Sequence, residues 1–287
     1  MLDKFIPIKI IYFFNLIRFN KPIGFLLLMW PCWFALAISD LELKLLLFWL
    51  LMFFFGSFLM RSAGCIINDL VDRDIDIKVL RTAQRPIASN KVNFFEALIL
   101  LSIFLFLSLL ILLQFNYRSI FIGLLSFPLV CVYPFMKRIT FWPQFFLGII
   151  FSWGVLIVNL ELYTYIQINY LLLYLGCIFW TLGYDTIYAY QDIEDDIKSG
   201  IKSTAVYFDQ KGMLFVKFCY SFLLIIVGYL GWNSSNSVLS LIIIAIIGFC
   251  TYIALKKWDL NSVESSNFYF RQNNYFAMLL FIYLLIF

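Results

Sequence analysis

The sequence predicts an all-α, polytopic membrane protein with a single domain over residues 1–287. Of its residues, 63% are hydrophobic and only 13% are charged, and long runs of the chain contain no charge at all. Soluble domains are roughly 45–50% apolar and about 25% charged, and they have no way to hide so much apolar surface from water. The uneven distribution of Lys and Arg along the chain also favours a protein that crosses a bilayer.

The apolar runs form nine segments, each close to the length of about 20 residues that a helix needs to span a bilayer. They are residues 22–39, 45–64, 94–113, 119–136, 141–160, 168–187, 213–231, 237–255 and 272–287. The last segment is the weakest, because Gln272, Asn273 and Asn274 crowd its start. Two large acid-rich insertions, residues 65–93 and 188–212, interrupt the pattern and are the first places to look for chemistry.

The placement of Lys and Arg predicts the orientation. If the N-terminus is cytoplasmic and the nine spans alternate, 19 of the 21 basic residues lie inside, and only Lys44 and Arg118 lie outside. Cytoplasmic loops of membrane proteins carry such an excess of positive charge. Both acid-rich insertions then face the cytoplasm, on the same side of the bilayer.

Composition excludes several kinds of site. The chain has no histidine, which excludes His-ligated zinc, Ser-His triads and His-ligated haem, so a bound metal must be hard and oxygen-ligated. Its six cysteines form no CxxC pair and fit small hydrophobic residues in helix packing. The first residues show neither a small-residue cleavage site nor a Ser/Arg-rich transit segment, which favours a bacterial inner membrane over an organelle.

The first insertion places three oxygen-bearing side chains at helical spacing. Asn68, Asp72 and Asp76 stand at i, i+4 and i+8, which would align them on one face of a helix. Like charges at this spacing destabilise a bare helix, so a stack of acids directly after an apolar span calls for a cation. Mg²⁺ suits one or two carboxylates together with phosphate oxygens and retained waters.

The second insertion repeats the pattern. Asp192 and Asp196 form another i, i+4 pair, and Asp185, Tyr188 and Asp192 share a face at i, i+3 and i+7. The segment from Asp192 to Asp196 holds four acids in five residues and again needs a counter-charge.

Basic residues follow each acid cluster: Lys78, Arg81 and Arg85 after the first, and Lys198 and Lys202 after the second. Cations beside carboxylates at a membrane surface suit a polyanionic substrate, with metal bridging acid to phosphate. The alternative, in which these acids are solvated loop charges, is weakened because there are two such clusters. For Arg18 and for Lys137-Arg138, an interfacial anchor is the equal alternative to a binding role.

These motifs resemble a known family. NDLVDRDID (68–76) is similar to the NDxxDxxxD signature of the UbiA superfamily of intramembrane prenyltransferases. RFNKPIG (18–24), RTAQRP (81–86), YPFMKRITFWPQ (133–144) and YDTIYAYQDIEDDIKSGIKSTA (184–205) resemble the branch that prenylates 4-hydroxybenzoate in ubiquinone biosynthesis. The resemblance covers roughly residues 15–215, and the branch rests on the softer KRIT-x-x-PQ and GIKSTA segments.

The resemblance implies nine helices around a central cavity, with two Mg²⁺ ions, one near Asn68 and Asp72 and the other near Asp192 and Asp196. It implies polyprenyl diphosphate and 4-hydroxybenzoate as substrates, membrane lipid as surroundings, and no nucleic acid; it leaves the oligomeric state open. The expected metal ligands are Asn68, Asp72, Asp76, Asp192 and Asp196; the diphosphate contacts are Lys78, Arg81, Arg85 and Lys202; the catalytic carboxylates are Asp72, Asp192 and Asp185; and the acceptor contacts are Arg138, Arg18 and Tyr188.

Other functions remain open at this point. A sister prenyltransferase acting on haem, naphthoate or homogentisate would share the acids and differ in the acceptor pocket. A CDP-alcohol phosphotransferase needs a DG-x-x-AR element, which the sequence lacks. A divalent-cation transporter, the non-enzymatic alternative, would place acids in mid-span, whereas these acids lie at the cytoplasmic ends of spans.

Overall fold

The computed structural model describes residues 7–77 and 82–287, and within them the chain is helical with no β-strand. Lys78 and Arg81 lie outside the described residues. The helices are α1 (Ile8–Leu16), α2 (Ile23–Ala37), α3 (Leu43–Val71), α4 (Arg73–Asp76), α5 (Phe94–Leu112), α6 (Tyr117–Ile139), α7 (Pro143–Ser152), α8 (Gly154–Leu162), α9 (Ile168–Ala189), α10 (Ile193–Ser199), α11 (Thr204–Phe208), α12 (Gly212–Ser235), α13 (Val238–Lys256) and α14 (Val263–Ile286).

The all-α prediction is confirmed, and each predicted apolar segment coincides with a helix or a pair of helices. Seven helical stretches in the described chain are long and apolar enough to cross a membrane, with α7 and α8 together forming one and α11 and α12 together forming another. Helix α2 has only 15 residues, and the polar start of α14 keeps it outside this group. The chain is a multi-pass membrane protein, and the count of nine spans stays a prediction.

The predicted fifth span is broken near its middle. Helix α7 ends at Ser152 and α8 begins at Gly154, with a tight backbone bond of 3.0 Å from Leu156 N–H to Trp153 O at the junction. A Cβ atom at Gly154 would lie 2.2 Å from Cys32 Sγ on α2. A glycine is therefore required where α8 presses against α2.

Helix α14 is longer than predicted, and part of its polar start faces the protein. Asn273 is 2% exposed, and its Oδ1 accepts hydrogen bonds from Trp180 Nε1 at 2.9 Å and from the Tyr220 hydroxyl at 2.5 Å. Asn274 accepts from Trp30 Nε1 at 2.9 Å. Amides that weaken a hydropathy signal thus satisfy donors inside the bundle, as buried polar groups require.

Helix α9 lies at the centre of the bundle, packed against α12, α7, α14 and α2. Most of its side chains are buried, including Trp180 and Tyr184. At its end, Lys202 N–H donates to Lys137 O at 3.0 Å, and Arg138 Nη2 donates to Val71 O at 3.3 Å. These bonds bring the ends of α3 and α6 together with the second acid-rich insertion.

Candidate active site

The first acid motif keeps its helical spacing across a helix break. Helix α3 ends at Val71 and α4 begins at Arg73, with Asp72 between them. Asp72 N–H still donates to Asn68 O at 2.9 Å, and Asp76 N–H donates to Asp72 O at 2.8 Å. The three predicted ligands therefore remain one helical turn apart, as their i, i+4, i+8 spacing requires.

Asp69, to which the sequence reading gave no role, is the centre of an ion-pair network. It is 1% exposed, and both of its carboxylate oxygens accept from Arg18 Nη2, at 2.8 and 3.0 Å. Arg85 Nη1 donates to Asp69 Oδ1 at 3.1 Å and to Asp76 Oδ2 at 2.8 Å. Arg18 adopts a left-handed backbone conformation, with φ at +59°, to make these contacts. We refer to Arg18, Asp69, Arg85 and Asp76 as the arginine clasp.

Asp72 is fully buried and pairs with the end of α6. Lys137 Nζ donates to Asp72 Oδ2. The other oxygen, Oδ1, accepts no hydrogen bond from any described residue, and the guanidinium of Arg138 approaches it only to 3.5 Å. A buried carboxylate oxygen without a donor is costly unless a further cation binds there.

The second acid motif is more open. Asp192, Asp195 and Asp196 are half-buried, and Glu194 and Lys198 form an exposed pair with 3.8 Å between charged atoms. Asp185 lies within α9, two helical turns before Asp192. In the described chain its carboxylate makes no hydrogen bond and no ion pair within 4.0 Å, although Arg61 is an electrostatic neighbour.

Both motifs line one cavity of about 200 Å³. The predicted residues in its wall are Asn68, Asp72, Asp76, Arg85, Asp185, Tyr188, Asp192, Asp196 and Lys202. Tyr133, Lys137 and Gln144 complete the wall from the side of α6 and α7. Two acid motifs separated by more than a hundred residues thus line a single cavity rich in oxygen ligands and in cations.

Two predicted acceptor contacts lie elsewhere. Arg18 does not line the cavity, because its guanidinium is bound in the arginine clasp. Arg138 stands at the rim: its side chain is 44% exposed and stacks over Phe135, with Cζ 5.5 Å from the ring centroid. Tyr188 does line the cavity, as predicted for an acceptor contact.

The structure also places residues near the site that the sequence reading left without a role. Lys137 had been weighed as an interfacial anchor, yet it binds Asp72 inside the cavity wall. Arg61 lies on α3 two turns before Asn68, and its buried Nε has no hydrogen-bond partner among the described residues. Its guanidinium lies over Phe151, at 5.5 Å from Cζ to the ring centroid. A cation that follows 16 uncharged residues was the signal that could have found Arg61.

The electrostatics of Asp76 follow from its burial. Loss of hydration raises the pKa of Asp76 above its ordinary value, and the Arg85 guanidinium offsets only part of that effect. A further cation beside Asp76 would favour its carboxylate form.

The site fits a divalent metal that is bound together with a phosphate group. No three Asp, Glu or Cys side chains in residues 7–77 and 82–287 form a group that could hold an ion by themselves. The acids instead surround the cavity, and one of them offers the unpaired buried Oδ1 of Asp72. Mg²⁺ prefers one or two carboxylates plus substrate phosphate oxygens and waters, so this oxygen-only set is suitable.

Comparison with known proteins gives a consistent family. The model of the UbiA prenyltransferase family matches residues 28–284. The chain is 39% identical over 272 residues to a 4-hydroxybenzoate octaprenyltransferase of Serratia proteamaculans, covering 93% of this chain and 92% of that protein. It is 41% identical over 236 residues to a mitochondrial 4-hydroxybenzoate polyprenyltransferase of Drosophila melanogaster; the match covers 82% of this chain and spans 60% of the length of that relative.

Solved structures share the fold. A UbiA homologue from Aeropyrum pernix K1 aligns with a TM-score of 0.72 at 19% identity, covering 93% of this chain and 98% of that one. A UbiA homologue from Archaeoglobus fulgidus, bound to GPP and Mg²⁺, aligns with a TM-score of 0.68 at 19% identity, covering 96% and 98%. The family model spans most of the chain and the acid motifs meet at one cavity, so the chain belongs to the UbiA prenyltransferase family.

Proposed function

We propose that this protein transfers a polyprenyl group from polyprenyl diphosphate to the ring carbon ortho to the hydroxyl of 4-hydroxybenzoate, a step of ubiquinone biosynthesis. The observation that carries the proposal is the single cavity that joins both acid motifs to Arg85, Lys137 and Lys202. The names of relatives with 39% and 41% identity support the choice of acceptor. The chemistry of the cavity favours a diphosphate over a free cation as cargo, since three cations line it.

The metal-binding residues would be Asn68, Asp72, Asp76, Asp192 and Asp196, with Mg²⁺ as the proposed ion. When bound, Mg²⁺ neutralises charge on the diphosphate as the carbon–oxygen bond breaks and the electron pair leaves with the phosphate. Lys137 and Arg85 each hold a carboxylate and line the cavity, so both are proposed contacts of the phosphate oxygens. Lys202 adds a third cation, and Lys78 and Arg81 remain proposed contacts.

The acceptor carboxylate needs a cation that is shielded from water. Arg61 meets this need better than Arg138, because its Nε is buried without a partner while Arg138 is 44% exposed at the rim. Arg61 itself does not line the cavity, but its electrostatic neighbours Tyr133, Tyr188 and Asp185 do. We therefore place the carboxylate towards Arg61, with Arg138 as the second candidate and Arg18 as part of the clasp.

The new carbon–carbon bond forms at the ring carbon ortho to the hydroxyl, and that carbon then loses its proton. With no histidine in the chain, the proton would pass to a carboxylate or to water. Asp185 is the proposed acceptor, because it lines the cavity without an ion pair in the described chain, and Asp192 is the alternative. The membrane-enclosed walls protect the allylic cation from water.

The proposal places the protein in a bacterial inner membrane with the cavity facing the cytoplasm. This rests on the excess of Lys and Arg on one side. A cysteine introduced at the exposed Ser199 should react with an impermeant thiol reagent from the cytoplasmic side only, and one at the exposed Tyr165 from the opposite side only. Labelling of both from one side would refute the orientation.

The test of function is product identification. Membranes containing the protein receive a polyprenyl diphosphate, Mg²⁺ and a panel of aromatic acceptors, and products are identified by mass spectrometry. Prenylated 4-hydroxybenzoate as the main product supports the proposal. A product on naphthoate, homogentisate or haem instead would refute the acceptor, and metal uptake into vesicles without any prenylated product would refute the enzyme.

A further inference from the structure

Gln144 occupies an unusual position for a neutral side chain. It stands in the first turn of α7, is 5% exposed, and lines the cavity beside the acids and cations already described. Its Oε1 accepts a hydrogen bond from Thr204 N–H at 3.1 Å. A backbone N–H can only donate, so this bond fixes which end of the amide is oxygen.

The orientation of the amide leaves one donor for the cavity. With Oε1 held by Thr204, Nε2 forms the other end, and no described residue accepts a hydrogen bond from it. The Nε2 atom also retains some accessible surface. This amide donor, which has no acceptor in the described chain, is therefore available to a ligand atom in the cavity.

The bond to Thr204 links Gln144 to the turn of α9 that carries the proposed proton acceptor. Thr204, which holds the amide, shares a 2.7 Å hydroxyl–hydroxyl hydrogen bond with Thr186 on α9. Thr186 follows directly after Asp185, the proposed proton acceptor, and lies well before Asp192 and Asp196. The amide is therefore tied to the part of α9 where the aromatic ring reacts.

Charge leads to the same assignment. The diphosphate has Arg85, Lys137 and Lys202, and the acceptor carboxylate has Arg61. The remaining polar atom of the acceptor is the neutral hydroxyl oxygen para to that carboxylate, and a neutral amide is the donor that suits it. Resting on the proposed function, we infer that Gln144 Nε2 donates to this oxygen and so selects acceptors that carry a hydroxyl at that position.

The contact exists in the bound ground state. The hydroxyl oxygen gains positive charge as the ring attacks, so a donor to it is not strengthened in the transition state. Loss of the contact should therefore raise the acceptor KM and leave kcat nearly unchanged. Gln144 is a specificity residue in this assignment, and it takes no proton.

The experiment compares 4-hydroxybenzoate with 4-aminobenzoate, whose amino nitrogen is a poor hydrogen-bond acceptor. Gln144→Met removes the donor at similar volume, and Gln144→Glu removes it while keeping an oxygen for Thr204 N–H. In both variants the preference for the hydroxyl compound, as a ratio of kcat/KM values, should fall by about 3- to 10-fold, the size of one net hydrogen bond. The KM for polyprenyl diphosphate should stay within about twofold in Gln144→Met.

Thr204→Val is the matched control. It removes the bond between the Thr186 and Thr204 hydroxyls but leaves the backbone N–H that holds Gln144, and Thr186 keeps its bond of 2.6 Å to Leu182 O. This variant should retain the wild-type preference. An equal loss of preference in Thr204→Val would show that loop packing is responsible and would overturn the inference.

The remaining outcomes are also decisive. An unchanged preference for 4-hydroxybenzoate over 4-aminobenzoate in Gln144→Glu would overturn the role of Gln144 while the proposed function stands. So would a rise in KM in Gln144→Met that is confined to polyprenyl diphosphate. If Gln144→Met does not fold, Gln144→Glu decides alone, because it keeps the contact with Thr204. A wild-type protein that prenylates neither acid would overturn the proposed function and this inference with it.

Discussion

The two acid motifs have similar residues at similar spacing, yet the structure treats them differently. Asp69, Asp72 and Asp76 are at most 4% exposed, and each is bound by a cation of the chain: Arg18, Lys137 or Arg85. Around Asp192 the acids are half-buried or exposed, and the pair of Glu194 with Lys198 is 3.8 Å apart with both side chains in solvent. The two clusters therefore differ in burial, and the similar spacing of their acids does not reveal that difference.

The largest effects should come from Asp72 and Asp192, the two carboxylates proposed as metal ligands. Asp72→Asn and Asp192→Asn should each lower turnover by about 100-fold or more, since both are proposed ligands of one catalytic unit. Only Asp72→Asn should also lower the thermal unfolding temperature in detergent, because it weakens a buried ion pair with Lys137. Equal thermal stability of the two variants would contradict the difference between the motifs.

A smaller effect is expected at the arginine clasp. Asp69→Ala leaves Arg18 and Arg85 without their shared carboxylate and should destabilise the folded protein by about 3 kcal/mol, the low end for a broken buried pair, because both guanidiniums are partly exposed. Turnover at low temperature should remain, since Asp69 does not line the cavity. Arg18→Ala should cost less, because Arg85 still holds Asp69.

The double variant of Arg18 and Asp69 checks this reading. The two losses should fall short of additivity by about 1 kcal/mol or more, as for residues in direct contact. Chemical denaturation in detergent measures the free energy of unfolding of the wild type, the two single variants and the double variant. Additive losses would mean that the two residues act independently and that the clasp does not exist in solution.

Around the second motif, a change of backbone conformation at Gly200 should lower the free energy of unfolding more than removal of the exposed charge of Lys198. Gly200 ends α10 with φ at +67°, and a Cβ there would meet no atom within 4 Å. Gly200→Ala should therefore cost about 1 kcal/mol through backbone strain alone. Gly200→Asn should cost less, because asparagine tolerates this conformation. A larger loss for asparagine than for alanine would contradict this explanation.

The smallest effect is expected at Lys198. Its side chain is 72% exposed and that of Glu194 is 87% exposed, so water screens their interaction. Lys198→Ala should change stability by less than about 0.5 kcal/mol. Thermal unfolding measures it, and a loss comparable to that of Asp69→Ala would remove the distinction between the motifs.

Much of this molecule follows from its sequence. Long apolar runs have few alternatives to helices in a bilayer. Acids at i, i+4 spacing predicted a shared site, and Asp72 and Asp192 line the same cavity. Contacts between distant segments were not predictable. Nothing near Lys137 in sequence shows that it meets Asp72, 65 residues away, and nothing near Gln144 shows that Thr204 orients its amide.

Positive charge was the least predictable feature. Arg18 and Arg138 were chosen as acceptor contacts because of their motifs, whereas the structure places one in the clasp and the other at the rim. Each arginine can serve as an anchor, a structural ion pair or a ligand, and only its tertiary partners distinguish these roles.

The length of α3 has a consequence for how the substrate is delivered. Its 29 residues extend about 43 Å, and even a tilt of about 20° leaves it longer than a hydrocarbon core of about 30 Å. In the proposed orientation, this excess length would carry the motif end of α3 to the lipid headgroups, where the diphosphate of the proposed lipid-soluble substrate would also lie. The proposed substrate would then arrive by diffusion in the plane of the bilayer, and the concentration that governs the rate would be its mole fraction in lipid. Added lipid should slow the reaction by surface dilution, even when the amount of substrate in the vessel is constant.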